Sequence, residues 1–164
     1  MNVTAGALKT RWGEAAKMPD PVKGEKFDRY VRDVLFPQEL YELRYDYEDT
    51  RDDYISHSKL PDHKYRSINE GIEFFVETRC RARFQDRILE WCKFFELKHY
   101  QEIDNIIPVL IAIGLGGKPS APERAFLVPV KHIKFVKLYP LLLQKYEIDP
   151  GRHISERFLK ILLQ

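Results

Sequence analysis

The sequence predicts an α/β domain in which a central mixed β-sheet is flanked by helices. Three patterns indicate this class: an apolar stripe at helical spacing that begins at Phe27, two alternating segments separated by a turn, and a continuous apolar run over 106–115. The chain has 164 residues, of which 44% are hydrophobic and 32% are charged. That length and balance suit one globular domain with a substantial core.

The chain is expected to form one domain with an addition at each end. We expect a single domain over 1–164, with a core at about 20–130, an N-terminal arm at 1–19 and a C-terminal helical extension at 131–164. Residues 1–10 lack the apolar segment of a secretory signal, and the apolar run is too short to span a bilayer. Cys80 and Cys92 fit neither a zinc motif nor a disulfide framework. We therefore expect a cytoplasmic protein without membrane contact.

The first helix is predicted to start at Asp20-Pro21, where an N-cap residue precedes a proline suited to the first helical position. Its apolar stripe repeats every three or four residues, at Phe27, Tyr30, Val31, Val34 and Leu35. Pro37 is predicted to end the helix. Glu25 and Asp28 lie on the polar side of this helix, and we expect both to be solvated.

The first strand is predicted over 40–47, where charged residues alternate with Tyr and Leu side chains. The acid-rich segment 48–58 is interpreted as a solvated connection, because it lacks the spacing of a calcium loop. Two further strands, 61–68 and 72–79, are predicted to form a hairpin through the turn signal Asn69-Glu70-Gly71.

The register of this hairpin decides whether three charged residues share one face. Glu77 and Arg79 are two positions apart and therefore point the same way. If Glu70-Gly71 is a two-residue loop, Asp62 lies opposite Arg79 and joins that face. A three-residue loop would turn Asp62 to the other face unless a bulge restored the parity.

The second half of the chain continues with alternating helix and strand patterns. Residues 80–89 are rich in arginine, and two alternatives stay open for them: a loop that contacts a nucleic-acid backbone, or a surface strand. A helix over 90–104 precedes the apolar strand, and the glycines at 114–117 are predicted to form a turn. The remaining predicted elements are a strand over 124–130, a short helix over 138–146 and an amphipathic helix over 153–164.

Pro61-Asp62, followed after fourteen residues by Glu77-Thr78-Arg79, resembles the signature of the PD-(D/E)XK nuclease superfamily. The order of predicted elements over 23–130 also resembles the αβββαβ core of that restriction-endonuclease-like fold. The resemblance implies a divalent metal, Mg²⁺ or Mn²⁺, held by Asp62 and Glu77, and DNA as the partner. In some members an acid on the first helix approaches the metal, but a solvated helix face is favoured for Glu25 and Asp28. Two positions depart from the pattern. Arg79 stands where the superfamily has Lys, and Glu96 stands where some members have a Gln four residues before a Tyr.

These residue types suit metal-dependent phosphodiester hydrolysis. Paired carboxylates are hard oxygen ligands for Mg²⁺ or Mn²⁺, and such an ion lowers the pKa of a bound water. Arg79 can grip a phosphate through two hydrogen bonds but cannot act as a base, because it stays protonated. Glu96 or the substrate phosphate would then accept the proton. The catalytic candidates are therefore Asp62, Glu77, Arg79 and Glu96.

Two functions from different classes follow from this constellation. The first is metal-dependent hydrolysis of DNA, impaired by Arg79; the alternative is a catalytically inactive nuclease-fold module that binds nucleic acid or protein. Residues 105–164 carry nine basic and four acidic side chains, and this basic half faces either phosphates or solvent as part of a mixed surface. A homodimer and oligomers formed through the C-terminal amphipathic segment are open alternatives.

Overall fold

The computed structural model describes residues 21–46 and 60–164. The expected N-terminal arm and the acid-rich connection lie outside the described residues. The helices are α1 (Pro21–Tyr30), which continues into a π-helical turn (Val31–Leu35), α2 (Phe94–Asp104), α3 (Pro140–Gln144) and α4 (Glu156–Leu162). The strands are β1 (Tyr41–Asp46), β2 (His63–Ser67), β3 (Glu73–Arg81), β4 (Leu89–Glu90), β5 (Val109–Lys118), β6 (Ala121–Pro129), β7 (Lys137–Leu138) and β8 (Glu147–Ile148).

A six-stranded sheet in the order β1-β2-β3-β5-β6-β8 forms the centre of the fold. β3 and β5 run parallel, whereas the other neighbouring strands of this sheet are antiparallel. β4 and β7 pair separately as a two-stranded sheet. With helices packed on both faces, the predicted central mixed sheet flanked by helices is confirmed. In the part of the chain that is described, no helix is both long and apolar enough to cross a membrane.

The two central strands are covered on both faces. On β3, Phe74 and Val76 join an aromatic layer with α1, whereas Phe75 joins a second layer with Tyr100 of α2. On β5, residues 109–115 are all buried, which confirms the expected strand with two covered faces. Because side chains alternate along β3, each of its residues belongs to one layer or the other.

The hairpin between β2 and β3 closes through four residues, 68–71, so neither the two-residue loop nor the three-residue loop is present. The N–H of Ser67 donates to the carbonyl of Ile72 over 2.8 Å, and the Ser67 hydroxyl accepts the N–H of Ile72 over 2.9 Å. Relative to a two-residue loop, the register is shifted by two residues. Continued by one pair beyond His63, it brings Asp62 level with Glu77 instead of Arg79. A shift of two residues keeps the parity of the pairing, but Asp62 lies one residue before the ladder, and its own contacts set the direction of its carboxylate.

The glycine run that was expected to form a turn belongs to β5. Gly116 and Gly117 have φ angles of +71° and +64°, yet the pairing with β6 continues to Lys118. The turn prediction is wrong because glycine at positive φ also fits the twisted end of a hairpin. The strand expected over 124–130 is confirmed as β6, whereas α3 and α4 have five and seven residues and are shorter than expected.

Replacement of Gly114 by Ala is expected to lower the free energy of unfolding by about 1–3 kcal/mol, because the added methyl group would overlap the Phe27 ring of α1. Gly24→Ala is the matched control, since nothing lies within 4 Å of its added carbon. In the middle of α1 that change should raise stability by up to about 1 kcal/mol. Urea unfolding followed by circular dichroism measures both. Unchanged stability of Gly114→Ala would contradict the close approach of α1 to β5.

Candidate active site

Asp62 lies immediately before β2, beside the middle of β3. Its N–H donates to Oε2 of Glu77 over 3.2 Å. Its Oδ2 accepts the N–H of Thr78 and the Thr78 hydroxyl, each over 2.9 Å. Asp62 and Glu77 are therefore neighbours only through the Asp62 backbone, whereas the Asp62 carboxylate turns to Thr78 on the α1 side of β3. The expected face shared by Asp62, Glu77 and Arg79 is therefore wrong, because Asp62 precedes β2 and its carboxylate is free to turn to the Thr78 N–H and hydroxyl.

A third acid, Asp28 of α1, lies on the α1 side of β3, where it meets the same Thr78 hydroxyl as Asp62. The Thr78 hydroxyl also contacts Oδ1 of Asp28, and Nε2 of His63 lies 3.9 Å from that oxygen. The expectation that Asp28 is a solvated residue on the polar face of its helix is wrong. Asp28 directly follows Phe27 of the apolar stripe, and this position at the border of the stripe is the signal that could have identified it.

One hydroxyl lies between the two carboxylates of Asp28 and Asp62. A threonine hydroxyl has a single hydrogen and can donate to only one carboxylate at a time. Burial, followed by the negative charge of Asp28, raises the pKa of Asp62. The two carboxylates therefore repel each other across this hydroxyl, and a cation bound between them would relieve that repulsion.

Glu77 and Arg79 form a buried ion pair on the α2 side of β3. Glu77 is only 3% exposed, and its Oε1 accepts Nη1 of Arg79. Arg79 also donates from Nε to the carbonyl of Trp91 over 2.6 Å and from Nη1 to the carbonyl of Thr78 over 2.9 Å. Arg79 is therefore anchored by protein acceptors, and its position is set by the strand and by the segment before α2.

Burial raises the pKa of Glu77 to about 8, and the charge of Asp62 adds to the effect. The guanidinium of Arg79 and the hydroxyl of Tyr100 act in the opposite direction by stabilising the ionised carboxylate. For Arg79, burial opposes the charge, but the attraction of Glu77 outweighs it and the pKa is raised. The pair is thus held together by charge in a layer that disfavours isolated charges.

Glu96 lies at the start of α2, at the edge of the site. Its Oε2 accepts the N–H of Lys93 over 2.7 Å, which caps the helix, and its Oε1 lies 3.8 Å from Nη2 of Arg79. The structure therefore places Glu96 next to Arg79, and Arg79 separates it from Glu77. All four candidate residues and Asp28 gather around the middle of β3.

The oxygen atoms of Asp28 and Asp62 fit a hard divalent cation better than those of Glu77 do. Residues 21–46 and 60–164 contain no group of three or more His, Cys, Asp or Glu side chains placed as metal ligands. Magnesium is commonly held by only one or two carboxylates, together with water and substrate phosphates. Asp28 and Asp62 supply that number, whereas Glu77 is already neutralised by Arg79.

The arginine-rich segment after the site is a tight turn, not a continuous surface strand. Gln85 and Ile88 bond to each other across it, and between them Asp86 and Arg87 adopt φ angles of 50° and 62°. Arg81 donates back to the carbonyl of Cys80 over 3.0 Å and is held against its own strand. The arginines on this turn therefore project at the end of β3 beyond the acidic residues.

The comparisons with known proteins support the fold. The structure resembles that of Hjc, a Holliday junction resolvase from the archaeal hyperthermophile Archaeoglobus fulgidus, with a TM-score of 0.52 and 12% sequence identity. The match covers 86% of this chain and 98% of that chain. No family model and no curated protein sequence matches this chain. The chain therefore has a restriction-endonuclease-like α/β fold, and at this identity the likeness extends to the fold alone.

The free energy of unfolding is expected to fall as pH rises from about 4.5 to about 8 because of Glu77, whose pKa is raised in the folded state. Between those values the folded protein binds more protons than the unfolded chain, so deprotonation favours unfolding. Glu77→Gln should remove this contribution, up to about 1.4 kcal/mol per pH unit. Glu73→Gln, an exposed position on the same strand, is the control. Urea unfolding at several pH values with a chelator measures the slope; equal slopes for wild type and Glu77→Gln would contradict the assignment.

Proposed function

We propose that this protein is a metal-dependent nuclease that hydrolyses DNA phosphodiester bonds at Asp62, Glu77 and Arg79. The observation that carries the proposal is the convergence of Asp28 and Asp62 on the Thr78 hydroxyl, directly beside Glu77. Excess negative charge at this point favours a cation. The neighbour of the same fold is described as a Holliday junction resolvase, which makes DNA the substrate to test first.

The proposed cofactor is Mg²⁺ or Mn²⁺, which when bound supplies a water of lowered pKa and neutralises charge on a phosphate oxygen. Asp62 and Asp28 would hold it, and Glu77 is a further carboxylate on the opposite side of Asp62. The N–H and hydroxyl of Thr78 fix the direction of the Asp62 carboxylate. This orientation is built into β3 and needs no rearrangement when substrate arrives.

Arg79 takes the position of the motif lysine but can perform only part of its role. Its guanidinium can stabilise negative charge that develops on a phosphate. A phosphate has to compete with Glu77 for Nη1, because that nitrogen already donates to the carboxylate. Arg79 also stays protonated and cannot take a proton from water, so Glu96 or the substrate phosphate is the proposed acceptor. Both features make cleavage slower than a lysine would allow.

The alternative, a catalytically inactive nuclease-fold module, is favoured by one observation, the buried ion pair. Glu77 is 3% exposed and paired with Arg79. Two unit charges 4 Å apart interact by about 4 kcal/mol at an effective dielectric constant near 20. A divalent ion at Glu77 would meet at least that repulsion from Arg79. If Glu77 is an essential ligand, the protein binds DNA through the retained fold without cutting it.

Plasmid nicking with Mn²⁺ separates the two functions. Wild type should nick supercoiled DNA slowly, and Asp62→Ala should lower the rate by roughly two orders of magnitude, the usual effect of removing a group that stabilises the transition state. Arg79→Lys should raise the rate, because a lysine can lose a proton and releases Glu77 more readily. Glu25→Ala, an exposed acid on the helix that carries Asp28, is the control. Equal nicking by wild type and Asp62→Ala would exclude the proposed site.

Mn²⁺ titration by calorimetry tests the ligands without relying on activity. Asp28→Asn and Asp62→Asn should each weaken binding by about tenfold or more, because each removes one charged oxygen ligand. Glu25→Gln should bind as wild type does. Absence of a binding heat for wild type would favour the inactive module. Undiminished Mn²⁺ binding by Asp28→Asn would instead indicate that Glu77 is the second carboxylate ligand.

A further inference from the structure

Exposed phenylalanine rings and lysines lie together beside the candidate site. Phe94, Phe95 and Phe135 are 74%, 68% and 70% exposed. Large side chains that expose so much apolar area commonly mark a binding surface when they cluster. We call the following set the basic–aromatic surface: Lys93, Phe94, Phe95, Lys98, Lys134 and Phe135, all of which are exposed.

Backbone contacts join the two segments that carry this surface. The N–H of Trp91 donates to the carbonyl of Val136 over 3.1 Å, and the indole N–H of Trp91 donates to the carbonyl of Phe135 over 3.3 Å. The side-chain amide of Gln101 donates to the carbonyl of Ile133 over 3.2 Å. The chain over 133–136 therefore runs along α2 from its middle to the segment before it, so the segments that carry the exposed rings are neighbours in the fold.

The same tryptophan connects this surface to the candidate site. Nε of Arg79 donates to the carbonyl of Trp91 over 2.6 Å, and the Trp91 indole contacts the backbone of Phe135. Glu96, one residue after Phe95, lies 3.8 Å from Nη2 of Arg79. The basic–aromatic surface is therefore linked to Arg79 through Trp91 and Glu96, on the α2 side of β3.

The charges on this surface favour a polyanion. Residues 131–146 contain four lysines and no acidic residue. On the neighbouring segments, Glu96 is turned toward Arg79 and the N–H of Lys93, and Glu90 lies opposite Lys137 across the β4–β7 pair. Lysines thus adjoin the exposed rings in both segments, a composition that suits a partner offering both aromatic bases and phosphates better than a purely apolar one. Stacking rings with interleaved lysines are the usual means of holding an unpaired nucleic-acid strand.

We propose that the basic–aromatic surface binds single-stranded DNA, with bases stacked on Phe94, Phe95 and Phe135 and phosphates paired with the lysines. This inference rests on the proposed function and assigns its substrate class, which is DNA that carries an unpaired segment next to the cleavage point. The binding itself requires neither a metal nor cleavage, so it is measured independently of the nuclease activity.

Fluorescence anisotropy with a labelled thymidine oligonucleotide of roughly 16 nucleotides, in buffer with a chelator, tests the proposal. Wild type should bind this strand more tightly than a duplex of equal length. Phe94→Ala and Phe135→Ala should each raise Kd by about fivefold to a hundredfold, the loss expected for one stacked base. Phe158→Ala, an exposed ring on α4, is the matched control and should leave Kd unchanged. Thermal unfolding verifies that each variant is folded.

Salt dependence tests the lysines separately. The double change Lys98→Ala with Lys134→Ala should reduce the slope of log K against log salt by about 1.4, since each lost phosphate contact on a single strand contributes about 0.7. Lys26→Ala, on the polar face of α1, should leave the slope unchanged. An unaltered slope in the double variant would overturn the assigned role of the lysines.

Three results would overturn the proposal: no binding of the oligonucleotide by wild type, equal binding by the ring variants, or a dimer in light scattering that dissociates on Phe135→Ala while DNA binding is unchanged. The last result would make this surface a protein interface. Plasmid nicking distinguishes failure of the inference from failure of the proposed function. Nicking without oligonucleotide binding removes the inference alone, whereas oligonucleotide binding through the rings without nicking removes the nuclease alone and keeps the surface.

Discussion

The two covered faces of β3 are the constraint on which the rest of the site depends. Because successive side chains alternate between the α1 layer and the α2 layer, Glu77 and Arg79 enter one layer and Thr78 enters the other. Asp62 directly precedes the first residue of β2, where the pairing between β2 and β3 ends. It contacts both Glu77 and Thr78. The site therefore straddles the sheet, with a pair of acids on one side and an acid–guanidinium pair on the other.

Arg79 connects the chemistry of the site to the surface around it. Its guanidinium opposes the rise that burial causes in the pKa of Glu77, and it also holds the carbonyl of Trp91. Trp91 in turn contacts the backbone of Phe135. A fixed, planar and permanently charged group suits this bridging role better than a lysine. Because the guanidinium stays protonated, it cannot accept a proton from water. The permanent charge that stabilises the site therefore also limits the proposed reaction.

Local sequence patterns predicted only part of the arrangement of charged residues around β3. Alternation identified the strands and placed Glu77 and Arg79 on one face, and the motif spacing indicated the fold. The register could not be decided, because the Ser67 hydroxyl closes a four-residue loop that composition does not distinguish from a shorter one. A solvated face was favoured for Asp28 over an approach to the metal, because helical periodicity assigns a residue to a face but does not say which partner covers that face.

The sequence by itself determined the element types, the αβββαβ order and the presence of two acids and an arginine at adjacent strand positions. These follow from periodicity and turn chemistry, which act over a few residues. Only the tertiary structure decided that Asp62 meets Asp28 through Thr78, that Arg79 pairs with the buried Glu77, and that Trp91 connects Arg79 to the backbone of Phe135. Those contacts join residues up to 50 positions apart, and the packing of α1 and α2 against opposite faces of one strand sets them.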